Sequence, residues 1–271
     1  MSLKFYKMTG AGNDFVAINN LEDILPTDVE QRAQLIRQLC HRRFGVGADG
    51  TLFIEPSSTA HFRMRYYNSD GSEATCGNGA RCIARFAYLL GIAPERMRFE
   101  TIAGPYEAII KPDTVTISMS DAHDLRMGVP VEIPGLFSGT VDFVNTGVPH
   151  AMVRVPDIEK APVVELGRAI RFHEAFAPQG TNVNFVCPTS TPNHLLIRTY
   201  ERGVEDETLA CGTGNVASAI LTNRLGLTTP PVRLTTRSGT DLLVSFEPTD
   251  NGARQVRLEG EARVVFTGQW D

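Results

Sequence analysis

Apolar and polar positions alternate along this chain in short stretches that predict strands, separated by a few stretches with helical spacing. Lys4 to Ile18 reads as two strand-like runs around the turn Thr9-Gly10-Ala11-Gly12-Asn13-Asp14. Thr27-x-x-Glu30 forms a capping box ahead of Val29, Leu35, Ile36 and Leu39, so a first amphipathic helix is expected to run to about Cys40. After the glycine-rich loop Gly45 to Gly50, Leu52-Phe53-Ile54 and Phe62 to Tyr67 predict strands. The turn cluster Asn68 to Glu73, which has no apolar residue, delivers the chain to Cys76. From about Gly77 to Leu90 the apolar positions cover so much of a helix that it should be buried nearly all round. Thr114 to Met119 alternates as a strand. Further on, Val141 to Val144 predicts a strand and Val163 to His173 a helix.

On a larger scale the pattern repeats. Cys76-Gly77-Asn78-Gly79 returns as Cys211-Gly212-Thr213-Gly214, an offset of 135 (211 − 76), and each is followed by a run of small and apolar residues. The runs close on Gly91 and Gly226 at the same offset. Met97 to Gly104 lies over Val232 to Gly239, again in that register. Upstream, Met8-Thr9-Gly10 falls over Asn145-Thr146-Gly147, and Gly47-Ala48-Asp49 over Gly180-Thr181-Asn182. Two copies are too few for a solenoid. They predict two pseudo-symmetric α+β domains facing each other, each a curled, mostly antiparallel or mixed sheet around one buried central helix, with one outer helix. The expected halves are residues 1–120 and 121–261. A final strand, Ala262 to Phe266, could cross back to complete the first half.

The repeated turn carries candidate chemistry. Cys-Gly-x-Gly at a helix start sets a thiol beside unpaired backbone N–H groups and the positive end of the helix dipole. Such a setting lowers a thiol pKa and also binds a carboxylate. For one such turn, a buried cysteine at a glycine-relieved helix start is an adequate reading. Two in register point instead to two thiols serving one ligand. A thiolate and a thiol on opposite sides of a carbon can take a proton from one face and return it to the other, which is racemisation or epimerisation by two bases. Helix-end N–H groups aimed at an α-carboxylate would stabilise the charge that develops.

Composition narrows the field. The 271 residues, 42% hydrophobic and 21% charged, suit a soluble protein with two cores, and a net charge of −5 gives no reason to expect nucleic acid or an anionic membrane as partner. No stretch is long and apolar enough to span a bilayer, and the N-terminus lacks the apolar core of a signal peptide. Five cysteines (Cys40, Cys76, Cys82, Cys187 and Cys211) in such a chain suggest reduced thiols in the cytoplasm. No metal-ligand spacing, dinucleotide fingerprint or Walker sequence occurs. The four lysines, Lys4, Lys7, Lys111 and Lys160, sit in no cluster suited to a Schiff base, so neither metal nor cofactor is expected.

Lys7-Met8-x-Gly10-x-Gly12-Asn13-Asp14-Phe15, Asn68-x-Asp70-Gly71-Ser72-Glu73, Cys76-Gly77-Asn78-Gly79-x-Arg81-Cys82, Tyr200-Glu201-Arg202-Gly203 and Ala210-Cys211-Gly212-Thr213-Gly214 together closely resemble the diaminopimelate epimerase family along the whole chain. The resemblance implies a cofactor-independent isomerase that interconverts LL- and meso-diaminopimelate on the route to lysine and peptidoglycan. It implies Cys76 and Cys211 as the acid/base pair. Asn13, Asn78 and the amides of Gly77, Gly212 and Thr213 would surround the reacting end, and Asn68, Asn182, Glu201 and Arg202 the distal end. His150 and Glu201 would help set the protonation of the thiols. A homodimer is compatible with the resemblance. The chain departs from the family pattern in Val148, where an asparagine is usual, and in a segment from Asn68 to Cys76 that is one residue short. The rival readings are a racemase of proline, hydroxyproline or histidine, whose substrates have no second carboxylate for Arg202, and a non-catalytic amino-acid-binding homologue.

Overall fold

The computed structural model describes residues 2–271, and they divide into two compact units. The first takes the chain as far as Ile117 and again from Glu259 to Asp271; the second is Ser118–Leu258.

In the first unit, β1 (Leu3–Gly10) and β2 (Asn13–Asn19) form an antiparallel hairpin with Gly10 opposite Asn13. Helix α1 (Val29–Cys40) crosses over to β3 (Gly50–Glu55), which lies parallel to β2. The α1 start differs by one residue from the capping box expected at Thr27: Asp28 is the cap, and its carboxylate accepts the Gln31 N–H at 2.9 Å. β4 (Phe62–Asn68) runs antiparallel to β3, and the short β5 (Glu73–Ala74) turns back along it. Helix α2 (Gly77–Leu89) then leads to β6 (Arg96–Thr101), parallel to β4, followed by the meander β7 (Gly104–Ile110) and β8 (Thr114–Ser118).

The second unit repeats these pairings. β9 (His123–Ile133) is antiparallel to β10 (Phe137–Asn145), and β10 to β11 (Pro149–Arg154). Helix α3 (Val163–Arg171) crosses over to β12 (Asn182–Pro188), parallel to β11. β13 (His194–Glu201) and the short β14 (Asp206–Thr208) follow. After α4 (Gly212–Arg224) comes β15 (Val232–Thr235), parallel to β13, then β16 (Asp241–Thr249) and β17 (Gly252–Glu261). In this unit the strand flanking β10 is β9, just before it in the chain. In the first unit the strand flanking β1 is β18 (Arg263–Trp270), which pairs antiparallel from Leu3–Trp270 to Thr9–Arg263. Each unit is thus a mixed sheet with few helices.

The helices divide as their apolar faces require. α2 is buried from Asn78 to Ala87 and packs on β1, β2, β3, β4, β7 and β18. α1 buries only Ile36, Leu39 and Cys40, and covers a second apolar cluster with Phe5, Val16, Ile18 and Phe53. Fully buried Phe15, Phe53, Phe62, Phe86 and Phe99 each contribute about 1.5–3 kcal/mol of burial. In the second unit α4 is buried from Gly214 to Thr222, and α3 lays Val163, Leu166 and Ile170 on a core that includes Phe143, Phe185 and Tyr200. No helix among the described residues is long and apolar enough to cross a membrane.

Candidate active site

Each cysteine of the repeated turn is the N-cap of its unit's central helix, in extended conformation (φ −150° for Cys76, −120° for Cys211). The first-turn N–H groups beyond them have no intrahelical acceptor. At Cys76 the sulfur takes one of these, the Gly79 N–H at 3.4 Å. The two glycines of each turn do different work. A Cβ on Gly79 would press on Leu52 Cδ2 at 3.0 Å, and one on Gly214 on Asn184 Oδ1 at 2.4 Å, so these glycines let the helix lie against its sheet. A Cβ on Gly77 would meet nothing nearer than Ile117 at 4.0 Å, and one on Gly212 would touch Leu258 at 3.1 Å. Of these four glycines, Gly77 alone has open space where a Cβ would stand.

Around Cys76 the first unit assembles a chain of oriented polar groups. Arg81, on the second turn of α2, is fully buried, and its Nη2–H donates to Asn78 Oδ1 at 2.7 Å. The Asn78 amide donates to Asn13 Oδ1 at 2.7 Å, and the Asn13 amide to Asp49 Oδ2 at 2.9 Å. Asp49 is held in turn by Arg42 at 2.6 Å and by the Asp14 N–H. Lys7 and Arg42 both pair with Asp14 and hold its carboxyl below the usual range, although burial alone would raise it. Tyr66 and Tyr106 line a small cavity beside Cys76 with Met64, Thr75 and Ile102. Burial, and then the neighbouring Cys76, pushes both phenols upward, so they remain protonated donors. Asn68 accepts from the Tyr66 hydroxyl at 3.0 Å and donates to Ser72 at 3.1 Å.

Around Cys211 the second unit builds a different chain. Asn184 is buried and donates to the Ala151 carbonyl, which fixes its amide orientation, and also to His150 Nδ1 at 3.1 Å. His150 Nδ1 is therefore the acceptor, and the ring proton sits on Nε2, which donates to Thr213 Oγ1 at 2.9 Å. The Thr213 hydroxyl lies 3.4 Å from Cys211 Sγ, where it can donate to a thiolate or accept from a thiol. Burial, reinforced by the charge of Arg202, pushes the His150 pKa down to about 3, so the ring is neutral. Burial moves the Glu201 carboxyl the other way, upward.

The remaining expected residues lie on the same unit. Asn182 is buried; it donates to the Pro149 carbonyl and accepts the Arg202 N–H at 2.8 Å, fixing the turn after β13. Arg202, half-buried, reaches the Gln179 carbonyl at 3.2 Å. Val148 is in the turn between β10 and β11, where its carbonyl accepts the Thr146 N–H. None of the five cysteines forms a disulfide. No group of three or more His, Cys, Asp or Glu among the described residues could hold a metal. Sequence reasoning passed over Asp49, Arg42, Asn184 and the burial of Arg81. In the sequence Gly47-Ala48-Asp49 reads only as loop and as part of the repeat.

The fold is similar to that of the Bacillus anthracis phenazine biosynthesis protein of the PhzF family. The match has a TM-score of 0.75 at 14% identity and covers 100% of this chain and 99% of that one. A family model described as diaminopimelate epimerase matches residues 5–125 and 143–265. Diaminopimelate epimerase of Aquifex aeolicus (strain VF5) is 43% identical over 282 residues, 98% of this chain and 97% of that protein. The same-named protein of Archaeoglobus fulgidus is 43% identical over 281 residues, covering 99% and 96%. The chain belongs to the diaminopimelate epimerase family, and so to the isomerases.

Proposed function

We propose that this protein interconverts LL- and meso-diaminopimelate without a cofactor, in the cytoplasm, on the route to lysine and peptidoglycan precursors. Supporting this is one observation above all: both copies of a duplicated fold start their buried helix with a cysteine cap followed directly by glycine. In the proposed reaction one thiolate removes the Cα proton and the other thiol delivers a proton to the opposite face. The reverse direction exchanges their roles. First-turn N–H groups of Gly77, Asn78, Gly212 and Thr213 would carry the negative charge that develops on the α-carboxylate. Asn13 belongs to this reacting end, with Asn68, Asn182, Glu201 and Arg202 toward the distal end and His150 and Glu201 setting proton positions.

The neutral His150 suits this scheme, because its Nε2–H holds the Thr213 hydroxyl beside Cys211, to donate to the thiolate or accept from the thiol, without adding a charge. Arg202 can present a two-pronged fork to the distal carboxylate. The test is deuterium uptake at Cα from heavy water, with LL-diaminopimelate, lysine and proline compared. Exchange should be rapid with diaminopimelate and slow with the other two, since a site built for a carboxylate is left with an unpaired cation when it is missing. Comparable turnover of lysine or proline would replace this assignment by a racemase of another amino acid. Binding without exchange would make the protein a non-catalytic homologue.

A further inference from the structure

Arg81 is the least comfortable side chain in the molecule. It is a guanidinium with no exposed surface, its Nε and Nη1 have no hydrogen-bond partner, and no ion pair within 4 Å neutralises it among the described residues. Only Nη2 is used, on Asn78 Oδ1. A buried charge in this state costs stability, and an apolar side chain of similar volume is commonly neutral or better for the fold. The helix repeat underlines the point, because the position 135 residues later is Val216, which is fully buried without any polar requirement.

The benefit lies in what the single bond orients. An asparagine amide can be turned over by half a rotation, exchanging its donor and acceptor ends. Arg81 can only donate, so Asn78 must present Oδ1 to it and its NH2 elsewhere. That NH2 meets Asn13 Oδ1, which turns the Asn13 NH2 outward to Asp49, an acceptor-only group. The line of groups therefore has a fixed polarity from both ends. Both amide oxygens are used inside it, and what each asparagine has left is an N–H.

We infer that Arg81 and Asp49 are positioning residues that lock the Asn78–Asn13 amide pair as N–H donors, making it a receptor for carboxylate and not for ammonium. This rests on the proposed reading of Asn13 and Asn78 as substrate-binding groups. With both amides flipped, two carbonyl oxygens would face the substrate carboxylate. Asp49 is kept in place by Arg42 and by the Asp14 N–H, and Asp14 by Lys7, so the acceptor end is anchored outside the site. The buried cation is also within electrostatic reach of Cys82, Cys76 and the Glu261 carboxylate, none of which forms an ion pair with it within 4 Å.

The test uses the full-length protein. Arg81→Met fills the volume but removes the donor end. Asp49→Asn turns the acceptor end into a group that can also donate. Each should lower kcat/KM for epimerisation about tenfold or more, the equivalent of at least one hydrogen bond. Arg81→Lys keeps a group that can only donate, so it should lose less than Arg81→Met. Adding Asn78→Ala to Arg81→Met should cause no further loss, whereas independent effects would multiply. The melting temperature of Arg81→Met should hold or rise. Should that variant fail to fold, Arg81→Gln, whose amide can accept as well as donate, and Asp49→Asn carry the same comparison. Wild-type kcat/KM in Arg81→Met or Asp49→Asn, or multiplying losses, would overturn the assignment. Nuclear Overhauser contacts between the Asn78 side-chain amide protons and Asn13 report the polarity without turnover. They should be present in the wild type and lost in Arg81→Met or Asp49→Asn. Their persistence in the variants refutes the relay even if the protein proves not to exchange Cα–H, a result that by itself refutes only the proposed function.

Discussion

The two helix starts share a backbone and almost nothing else. Cys76 caps α2 in a half-exposed position, next to a buried guanidinium and a line of amides that ends on a carboxylate held by Arg42. Cys211 caps α4 in a buried position, next to a neutral imidazole and a hydroxyl. The Asn13–Asn78 pair of one unit has its counterpart in the His150–Thr213 pair of the other. Duplication supplied two equivalent backbone frames. Side-chain differences then set a guanidinium near Cys76, and a neutral imidazole and a hydroxyl near Cys211.

The comparison is sharpest at the sulfurs. Cys76→Ala and Cys211→Ala should each abolish epimerisation, beyond the ~10²–10⁴-fold that one acid/base group contributes, while costing the fold only ~1–2 kcal/mol. Either variant keeping a hundredth of the wild-type rate would show that one helix start suffices. Thermal unfolding followed by circular dichroism gives the stability side.

A second contrast is pH. The folded state holds His150 neutral, lowering its pKa from 6.5 to about 3. An unfolded chain would therefore bind a proton that the folded one refuses. The stability this group provides is complete above pH 6.5 and is lost as pH falls toward 3, by up to about 5 kcal/mol. The charged cluster of the other unit works lower down: Asp14, held below 3.8, loses its contribution only as pH falls through its folded value. Melting temperatures of the wild type and His150→Gln across pH 3–7 check this. The variant should lose the part of the slope that His150 adds between pH 6.5 and 3, and keep the part that Asp14 adds below 3.8. An unchanged slope would mean His150 is not buried as described.

Smaller effects are expected at the second glycines. Gly214→Ala would drive a methyl into Asn184 Oδ1, which is pinned by the Thr199 hydroxyl, whereas Gly79→Ala meets the end of Leu52. Overpacking of this kind costs ~1–3 kcal/mol. Gly214→Ala should fall at the upper end and also disturb the His150 line. Gly79→Ala should fall at the lower end. Equal denaturation midpoints for the two would remove that distinction between the frames.

Much of the architecture was legible because it is written locally or in copy. The hairpin at Gly10–Asn13, the extents of α1, α2 and α4, and the two cysteine caps follow from apolar spacing and glycine placement within a dozen residues. The one-residue error at the α1 cap came from two adjacent residues, Thr27 and Asp28, that are both good caps. β9 was harder to read, since exposed polar positions such as His123, Asp124 and Glu132 break its alternation.

What the sequence by itself determined is the duplication, the sheet-and-helix class and the identity of the two thiols, because periodicity and motif spacing are properties of neighbouring residues. Tertiary structure decided the rest. It brought β18 to β1 from the far end of the chain and set Asp49 36 residues from the amide it receives. It also put His150 between Asn184 and Thr213, and so chose the ring's tautomer. Burial of Arg81 belongs here too. Nothing in the spelling of α2 distinguishes a solvated arginine from a sealed one until the sheet closes around the helix, and only in that low-dielectric setting does its single hydrogen bond acquire the power to orient its neighbours.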